Sequence, residues 1–292
     1  MQAEPASHSS VAEGTASSSG LLEVNGIKLW HEVYGDGPPV IVLSGGLTTI
    51  PETMPLIAPL AKQRKVVAVE LQGHGRSPDT DRPITLDTTA DDVAAIIDAL
   101  KLGPTDLIGH SFGGAAALRA SIRHPEKVRR LVVISSPCAR SGWYPEAQRG
   151  MASVGAALAE ALKDTPTARF ARQWPEPQRF PQFLDKMGKA LGEDYDWCAE
   201  VPTLPMPVLL VYADHDSISQ RHIADFFALL GGGITEPGWQ NTKFTKARLA
   251  IIPGYSHYNF MTSSELPPTV EKFLASSLTN TGGAAAASSA AP

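Results

Sequence analysis

One short motif constrains the fold of this chain more than any other feature. Residues 109–113 read Gly-His-Ser-Phe-Gly, and they follow the apolar run 105–108 and precede a small-residue segment, 114–118, of helical character. A strand, a tight turn and a helix in this order are typical of a nucleophile elbow, whose glycines leave room for an exposed serine at the sheet edge. The motif therefore predicts an acyl-transfer enzyme, most simply a hydrolase, with Ser111 as the nucleophile.

Apolar runs alternate with helical segments around this motif. Strands are predicted at residues 29–33, 40–43, 66–71, 128–135, 208–213 and 247–252. Helices are predicted at 87–100, with Thr85 as N-cap, at 223–230 and at 269–278. Such alternation indicates an α/β fold with a parallel sheet covered by helices on both faces.

Length and charge exclude several classes of protein. The 292 residues suit one large α/β domain with an insertion. A net charge of -5 argues against nucleic acid or an anionic membrane surface as the main partner. No apolar run approaches the 18 residues or so of a membrane span.

The low-complexity ends frame the predicted domains. Residues 1–20 and 279–292 are expected to be disordered, residues 21–139 and 204–278 to form the core, and 140–203 to form a helical cap. Residues 2–20 lack the apolar segment of a signal peptide. They fit the mature start of an exported protein with an added Met or a disordered cytoplasmic leader, so the compartment stays open.

The cap is rich in aromatic residues, which suggests a pocket for a hydrophobic or aromatic small molecule. The alternative is ordinary helical packing against the core. The predicted pocket residues are Leu47, Trp143, Tyr144, Phe170, Trp174, Phe183, Trp197 and Tyr258. The segment 231–246, with Trp239 and Phe244, forms either another pocket wall or a surface loop.

Cys138 and Cys198 are the only cysteines. Two cysteines do not make a disulfide scaffold, so two unpaired thiols are the simpler expectation. One bridge stays possible because both residues flank the inserted segment.

A serine nucleophile needs a base, and the base needs an orienting acid. The chain order Ser, Asp, His expected after an elbow is present. Asp216, which follows the run 208–213, is favoured over Asp214 as the acid. His257, in the loop after the last predicted strand, is the candidate base.

Two backbone N–H groups are expected to bind the oxyanion. One belongs to Phe112, directly after the nucleophile, and the other to Gly46 in the Ser-Gly-Gly-Leu loop after the run 40–43. The histidine of the Gly-His-Gly turn, His74, is interpreted as structural. This chemistry needs no metal or organic cofactor.

Together these motifs resemble the α/β-hydrolase fold superfamily over residues 21–278. The resemblance implies an eight-stranded, mostly parallel sheet with the cap after the sixth strand. It also implies Ser111, Asp216 and His257 as the triad, Gly46 and Phe112 as the oxyanion hole, and hydrolysis of carboxylic esters. Two departures are Ser44, where the family usually has His, and Glu70, where many members have Asp.

The same triad serves other reactions, and these alternatives stay open. They are lactone, amide or carbon–carbon bond hydrolysis and perhydrolysis. A non-catalytic ligand receptor on the same fold is the alternative from another class. Dehalogenases and epoxide hydrolases of this fold carry an aspartate at the elbow, so Ser111 argues against both.

Overall fold

An eight-stranded sheet forms the centre of the molecule. The structure is a computed structural model, which describes residues 14–240 and 243–277. Its strands are β1 Ser18–Val24, β2 Ile27–Tyr34, β3 Pro39–Leu43, β4 Lys65–Val69, β5 Thr105–His110, β6 Val128–Ile134, β7 Val208–His215 and β8 Ala247–Ser256. Their order in the sheet is β1-β2-β4-β3-β5-β6-β7-β8. The six strands β4, β3, β5, β6, β7 and β8, in their order across the sheet, run parallel. Strand β2 is antiparallel to both β1 and β4.

Helices cover both faces of this sheet. They are α1 Ile50–Leu60, α2 Leu86–Ala99, α3 Phe112–Arg123, α4 Pro145–Ala152, α5 Pro166–Ala171, α6 Phe180–Gly192, α7 Gln220–Leu229 and α8 Leu266–Leu274. Apolar residues of α2, α3 and α7 belong to one core cluster, and those of α1 and α8 belong to the other. The predicted α/β fold with eight strands is confirmed. Within the described ranges, no helix is long and apolar enough to cross a membrane.

The N-terminal hairpin begins earlier than expected. Strand β1 starts at Ser18, so its first three residues are ordered although they were assigned to the disordered segment 1–20. They pair with β2 from Ser18 opposite Val33 onwards. The turn is Asn25-Gly26, both with positive φ, which is a strong hairpin signal. Residues 1–13 and the tail 279–292 lie outside the described residues.

Helix α1 was not among the predicted elements, because Pro51, Pro55 and Pro59 hide its pattern. A capping box starts it: the N–H of Thr49 donates to Glu52 Oε2 at 2.8 Å. Its buried residues, among them Leu56 and Ile57, pack on the sheet. Packing of the apolar face therefore outweighs the unfavourable propensity of proline.

The segment between β6 and β7 carries α4, α5 and α6. Its two ends pair with each other: Trp197 N–H donates to Cys138 O at 2.9 Å, and Arg140 N–H donates to Tyr195 O at 2.9 Å. This pairing brings Cys138 and Cys198 to a Cα–Cα distance of 5.2 Å, and they form a disulfide. The expectation of two free thiols is wrong, because a count of cysteines cannot reveal that residues 60 apart are neighbours in space.

Candidate active site

The nucleophile elbow lies between β5 and α3. Ser111 is the one residue between them, and its backbone has φ 53° and ψ -118°, in a region that serine rarely occupies. Its N–H donates to Ile134 O at 2.9 Å on the neighbouring strand. The strained conformation holds the side chain out at the carboxyl edge of the sheet.

The glycines of the motif are required by close contacts. A Cβ on Gly109 would lie 2.1 Å from Gly113 O, and a Cβ on Gly113 would lie 2.3 Å from Ser44 O. Because these contacts are to backbone atoms, no side-chain movement relieves them. Only glycine fits at both positions.

His257 and Asp216 meet Ser111 in a hydrogen-bonded series. His257 Nε2 lies 3.0 Å from Ser111 Oγ, and His257 Nδ1 lies 2.9 Å from Asp216 Oδ1. Asp216 comes just after β7, and His257 directly follows β8. The three residues therefore come together because the carboxyl ends of parallel strands share one edge of the sheet.

Asp216 is held as a carboxylate by several donors. It accepts hydrogen bonds from His257, from Ser135 Oγ, and from the N–H groups of Ala213 at 3.2 Å and Ser217 at 2.7 Å. Burial disfavours the charged form, but the bonds from His257, Ser135 and Ala213 outweigh it and keep the pKa of Asp216 below its usual value. The charged acid can then fix the imidazole with Nδ1–H towards it.

Asp214, the competing acid, has a different role. Its Oδ1 accepts from the N–H groups of Gly254 at 2.9 Å and Tyr255 at 3.3 Å, and it contacts His215. These bonds tie the end of β7 to the end of β8. The structure does not bring Asp214 into contact with His257.

The residues predicted for the oxyanion hole border the same site. Phe112 is the first residue of α3, so its N–H has no acceptor inside the helix. Gly46 lines the cavity above Ser111, and a Cβ there would lie 3.5 Å from Phe112 Cβ. The next residue, Leu47, has φ +60°, which gives this loop a left-handed turn. Ser44, in place of the usual His, pairs its Oγ with Thr53 Oγ1 at 2.9 Å and so ties the loop to α1.

A cavity of about 300 Å³ opens above Ser111. The wall from the sheet edge consists of Gly46, Ser111, Ser217, His257 and Tyr258. The wall from the cap consists of Trp143, Ala147, Gly150, Met151, Val154 and Leu191. This volume is at the lower end of the usual range for ligand sites, which suits a small molecule.

Most of the aromatic residues predicted to line this pocket lie elsewhere. Of the eight predicted pocket residues, seven of them aromatic, the structure brings Trp143 and Tyr258 to the cavity. Phe183 is fully buried against Gly73 and His74, and Trp174 Nε1–H donates to Gly75 O at 2.7 Å. The pocket assignment was wrong for these two residues, because their rings join the cap to the core.

The remaining four predicted pocket residues are not part of the cavity lining either. Phe170 lies under Arg76, and Trp197 stacks on Tyr195 at 4.5 Å. Tyr144 points to solvent, and the carbonyl of Leu47 accepts from Thr167 Oγ1. None of these four lines the cavity, so the assignment is corrected for them too.

Residues of α4 and its C-terminal extension were missed as pocket residues. Ala147, Gly150, Met151 and Val154 follow the spacing i, i+3, i+4, i+7 and so share one helix face. That periodicity was available in the sequence. It was overlooked because the prediction relied on the aromatic residues of the cap, and none of these four residues is aromatic.

The Gly-His-Gly turn is structural in its contacts. His74 is buried, its Nδ1 lies 3.0 Å from Gln72 O, and burial lowers its pKa to about 4. Glu70, in place of the more common Asp, accepts from Arg76 N–H at 2.7 Å and from Ile50 N–H at 3.2 Å. Its carboxylate thus ties this turn to the start of α1.

His110 lies directly behind the candidate base. Its ring stacks on that of His257 with centroids 5.4 Å apart. Burial, helped by the nearby His257, lowers the pKa of His110 to about 3. A neutral ring therefore backs the imidazole, and it adds no positive charge beside it.

The described residues of the segment 231–246, which are 231–240 and 243–246, belong to a surface loop and not to a wall of this cavity. Trp239 and Phe244 are both exposed, and neither lines the cavity above Ser111. The loop enters β8 at its first residue, Ala247, whereas His257 follows the other end of the strand. The two alternatives for this segment are thereby resolved.

One group of side chains in the described residues has the spacing of a metal site. It consists of Cys138, Cys198 and His222. The two sulfurs are bonded to each other, so they do not act as thiolate ligands in this form.

The chain is similar in sequence to known proteins. A family model described as "Alpha/beta hydrolase family" matches residues 40–266. The chain is 39% identical over 105 residues to 2-hydroxymuconate semialdehyde hydrolase from a Pseudomonas species, a match that covers 36% of this chain and 35% of that protein. It is 28% identical to serine hydrolase BPHL of Mus musculus over 248 residues. This match covers 77% of this chain and 78% of that protein.

Solved structures share the fold. The crystal structure of carboxylesterase CesB from Bacillus subtilis superposes with a TM-score of 0.67 at 22% identity, over 90% of this chain and 93% of that one. The match to the Pseudomonas relative spans only about a third of its length. The family model, by contrast, covers most of the chain, and the chain belongs to the alpha/beta hydrolase family.

Proposed function

We propose that this protein hydrolyses small carboxylic esters through an acyl-enzyme on Ser111. The observation that carries the proposal is the hydrogen-bonded series from Ser111 through His257 to Asp216, which opens onto a cavity. Membership of the alpha/beta hydrolase family supports it.

The proposed reaction has two steps. His257 Nε2 takes the proton of Ser111 Oγ as the oxygen attacks the ester carbonyl, and it then protonates the leaving alcohol. Water repeats the sequence on the acyl-enzyme and releases the acid. Asp216 orients the imidazole and stabilises its charged form. The N–H groups of Gly46 and Phe112 bind the oxyanion, and each is worth about 3 to 4 kcal/mol of barrier.

The substrate is proposed to be a small hydrophobic molecule. Trp143, Met151, Val154 and Leu191 give the cavity apolar walls close to Ser111. A lactone, an amide or a peracid-forming reaction would use the same residues, as would hydrolysis of a carbon–carbon bond. A panel of aryl esters, lactones and anilides at equal concentration ranks these reactions by kcat/KM.

The first test replaces the nucleophile. Ser111→Ala should lower kcat for p-nitrophenyl acetate by at least about 10⁴-fold. Ser276→Ala, the same change in a serine just past α8 and away from the cavity lining, serves as the matched control and should leave kcat unchanged. Full activity of Ser111→Ala would refute the acyl-enzyme.

A second test separates an enzyme from a binding protein on the same fold. A fluorophosphonate should add covalently to Ser111, as peptide mass spectrometry would locate, and Ser111→Ala should remain unlabelled. A folded protein that forms no adduct and hydrolyses no ester would support a receptor instead.

A further inference from the structure

The wall that α4 presents to the cavity is apolar and uncharged. Ala147, Gly150 and Met151 lie on one face of the helix, and Val154 continues it one turn further. A Cβ added to Gly150 would meet no atom within 4 Å, so the space in front of this face is open. A flexible apolar chain attached to the ester can lie along it.

The charged residues near this wall pair with other groups and are not part of the cavity lining. On α4, Arg149 pairs with Glu146 at 2.8 Å, and both side chains are exposed. Arg140, close to the start of α4, donates from its guanidinium to the carbonyl of Leu191. None of the three is part of the cavity lining described above.

The sheet side of the cavity has no cationic Lys or Arg side chain among its described lining residues, and the N–H groups of Gly46 and Phe112 are proposed to bind the ester oxygen. Ser111 and Ser217 are neutral, and the carboxylate of Asp216 lies buried directly beneath His257. A carboxylate that lies against these residues would lose part of its water without gaining a cationic partner, and it would also be repelled by the charge of Asp216. Burying an unpaired charge is among the most costly events in a protein interior.

From this distribution of charge we infer that the α4 face selects esters with an uncharged apolar acyl chain and excludes those whose acyl chain carries a carboxylate. The inference rests on the ester hydrolysis proposed above. It assigns α4 a specificity-determining role, with Met151 as the largest residue of the face.

The wild-type protein provides the primary test. Phenyl hexanoate and the monophenyl ester of hexanedioic acid have acyl chains of equal length, and only the second ends in a carboxylate. We expect kcat/KM for the monophenyl ester to be lower by about 10-fold or more at pH 7.5, from the cost of removing water from an unpaired charge. Values within threefold of each other would overturn the inference.

A gain-of-function variant tests the location. Met151→Arg places a cation on the cavity face and should raise kcat/KM for the charged ester, relative to the neutral ester, by about 10-fold or more. Ala152→Arg adds the same charge one residue further on, at an exposed position outside the lining, and should leave that ratio as in the wild type. Equal ratios for the two arginine variants would refute the role of the α4 face.

The two proposals fail in different ways. If phenyl hexanoate is not hydrolysed by folded wild-type protein, the ester hydrolase itself is refuted. If phenyl hexanoate is hydrolysed and Ser111→Ala abolishes that activity, while the charged ester reacts equally well, only the inference about α4 is refuted.

Discussion

The elbow at Ser111 combines a strained backbone with glycines that have no space for a side chain. The backbone at Ser111 has a strained φ of 53°, and the chain around it passes so close that Gly113 has no space for a methyl group. Such strain persists only where the surrounding structure holds it in place. Here the bond from Ser111 N–H to Ile134 O and the packing of the Ser44 loop on Gly113 supply that support.

Gly113→Ala should therefore damage both stability and activity. The new Cβ would lie 2.3 Å from Ser44 O and 2.7 Å from Leu43 O, so backbone must move, and we expect a loss of about 2 to 4 kcal/mol in unfolding free energy. Urea unfolding measures it. Gly192→Ala, at a site with no atom within 4 Å of the new Cβ, is the control and should be neutral. Equal stability of the two variants would contradict this account.

The two neighbouring aspartates allow a sharp comparison. Asp216→Asn removes the charge that orients His257 and should lower kcat for an ester by about 10⁴-fold. Asp214→Asn keeps an oxygen that can accept from Gly254 and Tyr255, so its kcat should fall less than about 10-fold. Steady-state kinetics at pH 7.5 compares them, and an equal loss in both would contradict the assignment of Asp216.

At the scale of elements, a helix could be predicted where its apolar residues recur regularly along the sequence. Helix α2 has a regular apolar face and a Thr85 cap that accepts from Thr88 N–H at 3.0 Å, and its predicted bounds are within one residue of the structure. Helix α1 contains prolines and was missed. The site residues near strand ends were placed by chain order, whereas Phe183 was misplaced because residue type alone does not tell which way a side chain points.

The disulfide at the base of the cap gives the prediction for this scale. Cys138→Ala/Cys198→Ala opens a closed segment of 60 residues and should lower the unfolding free energy by about 2 to 4 kcal/mol. Unfolding in urea with and without dithiothreitol measures it. The wild type should fall to the level of the variant under reductant, while the variant should not respond; a wild type that ignores reductant would contradict the structural role of the bond.

The stability of the whole molecule should decline in mild acid. His74 and His110 are buried with pKa values of about 4 and about 3, whereas an unfolded histidine titrates near 6.5. Below pH 6.5 the unfolded chain therefore binds protons that the folded chain does not bind. The free energy of unfolding decreases as the pH is lowered. Each histidine contributes up to about 1.4 kcal/mol per pH unit until its folded pKa is reached.

His74→Asn tests this dependence. The asparagine amide can still donate to Gln72 O but takes up no proton. We expect the variant to lose less unfolding free energy than the wild type between pH 6 and pH 5, by about 1 kcal/mol. Urea unfolding at both values measures the difference, and identical losses would mean that His74 accepts its proton without unfolding.

The pairing at the base of the cap also bears on how such a molecule can acquire a new specificity. The two ends of the inserted segment approach each other to 5.2 Å at Cys138 and Cys198, so the residues between them can be exchanged without moving a strand. A transplanted segment would have to bring an apolar underside, because Phe183 and Met187 fill the space over the core. Within that limit, the proposed catalytic residues and the choice of substrate can be inherited separately.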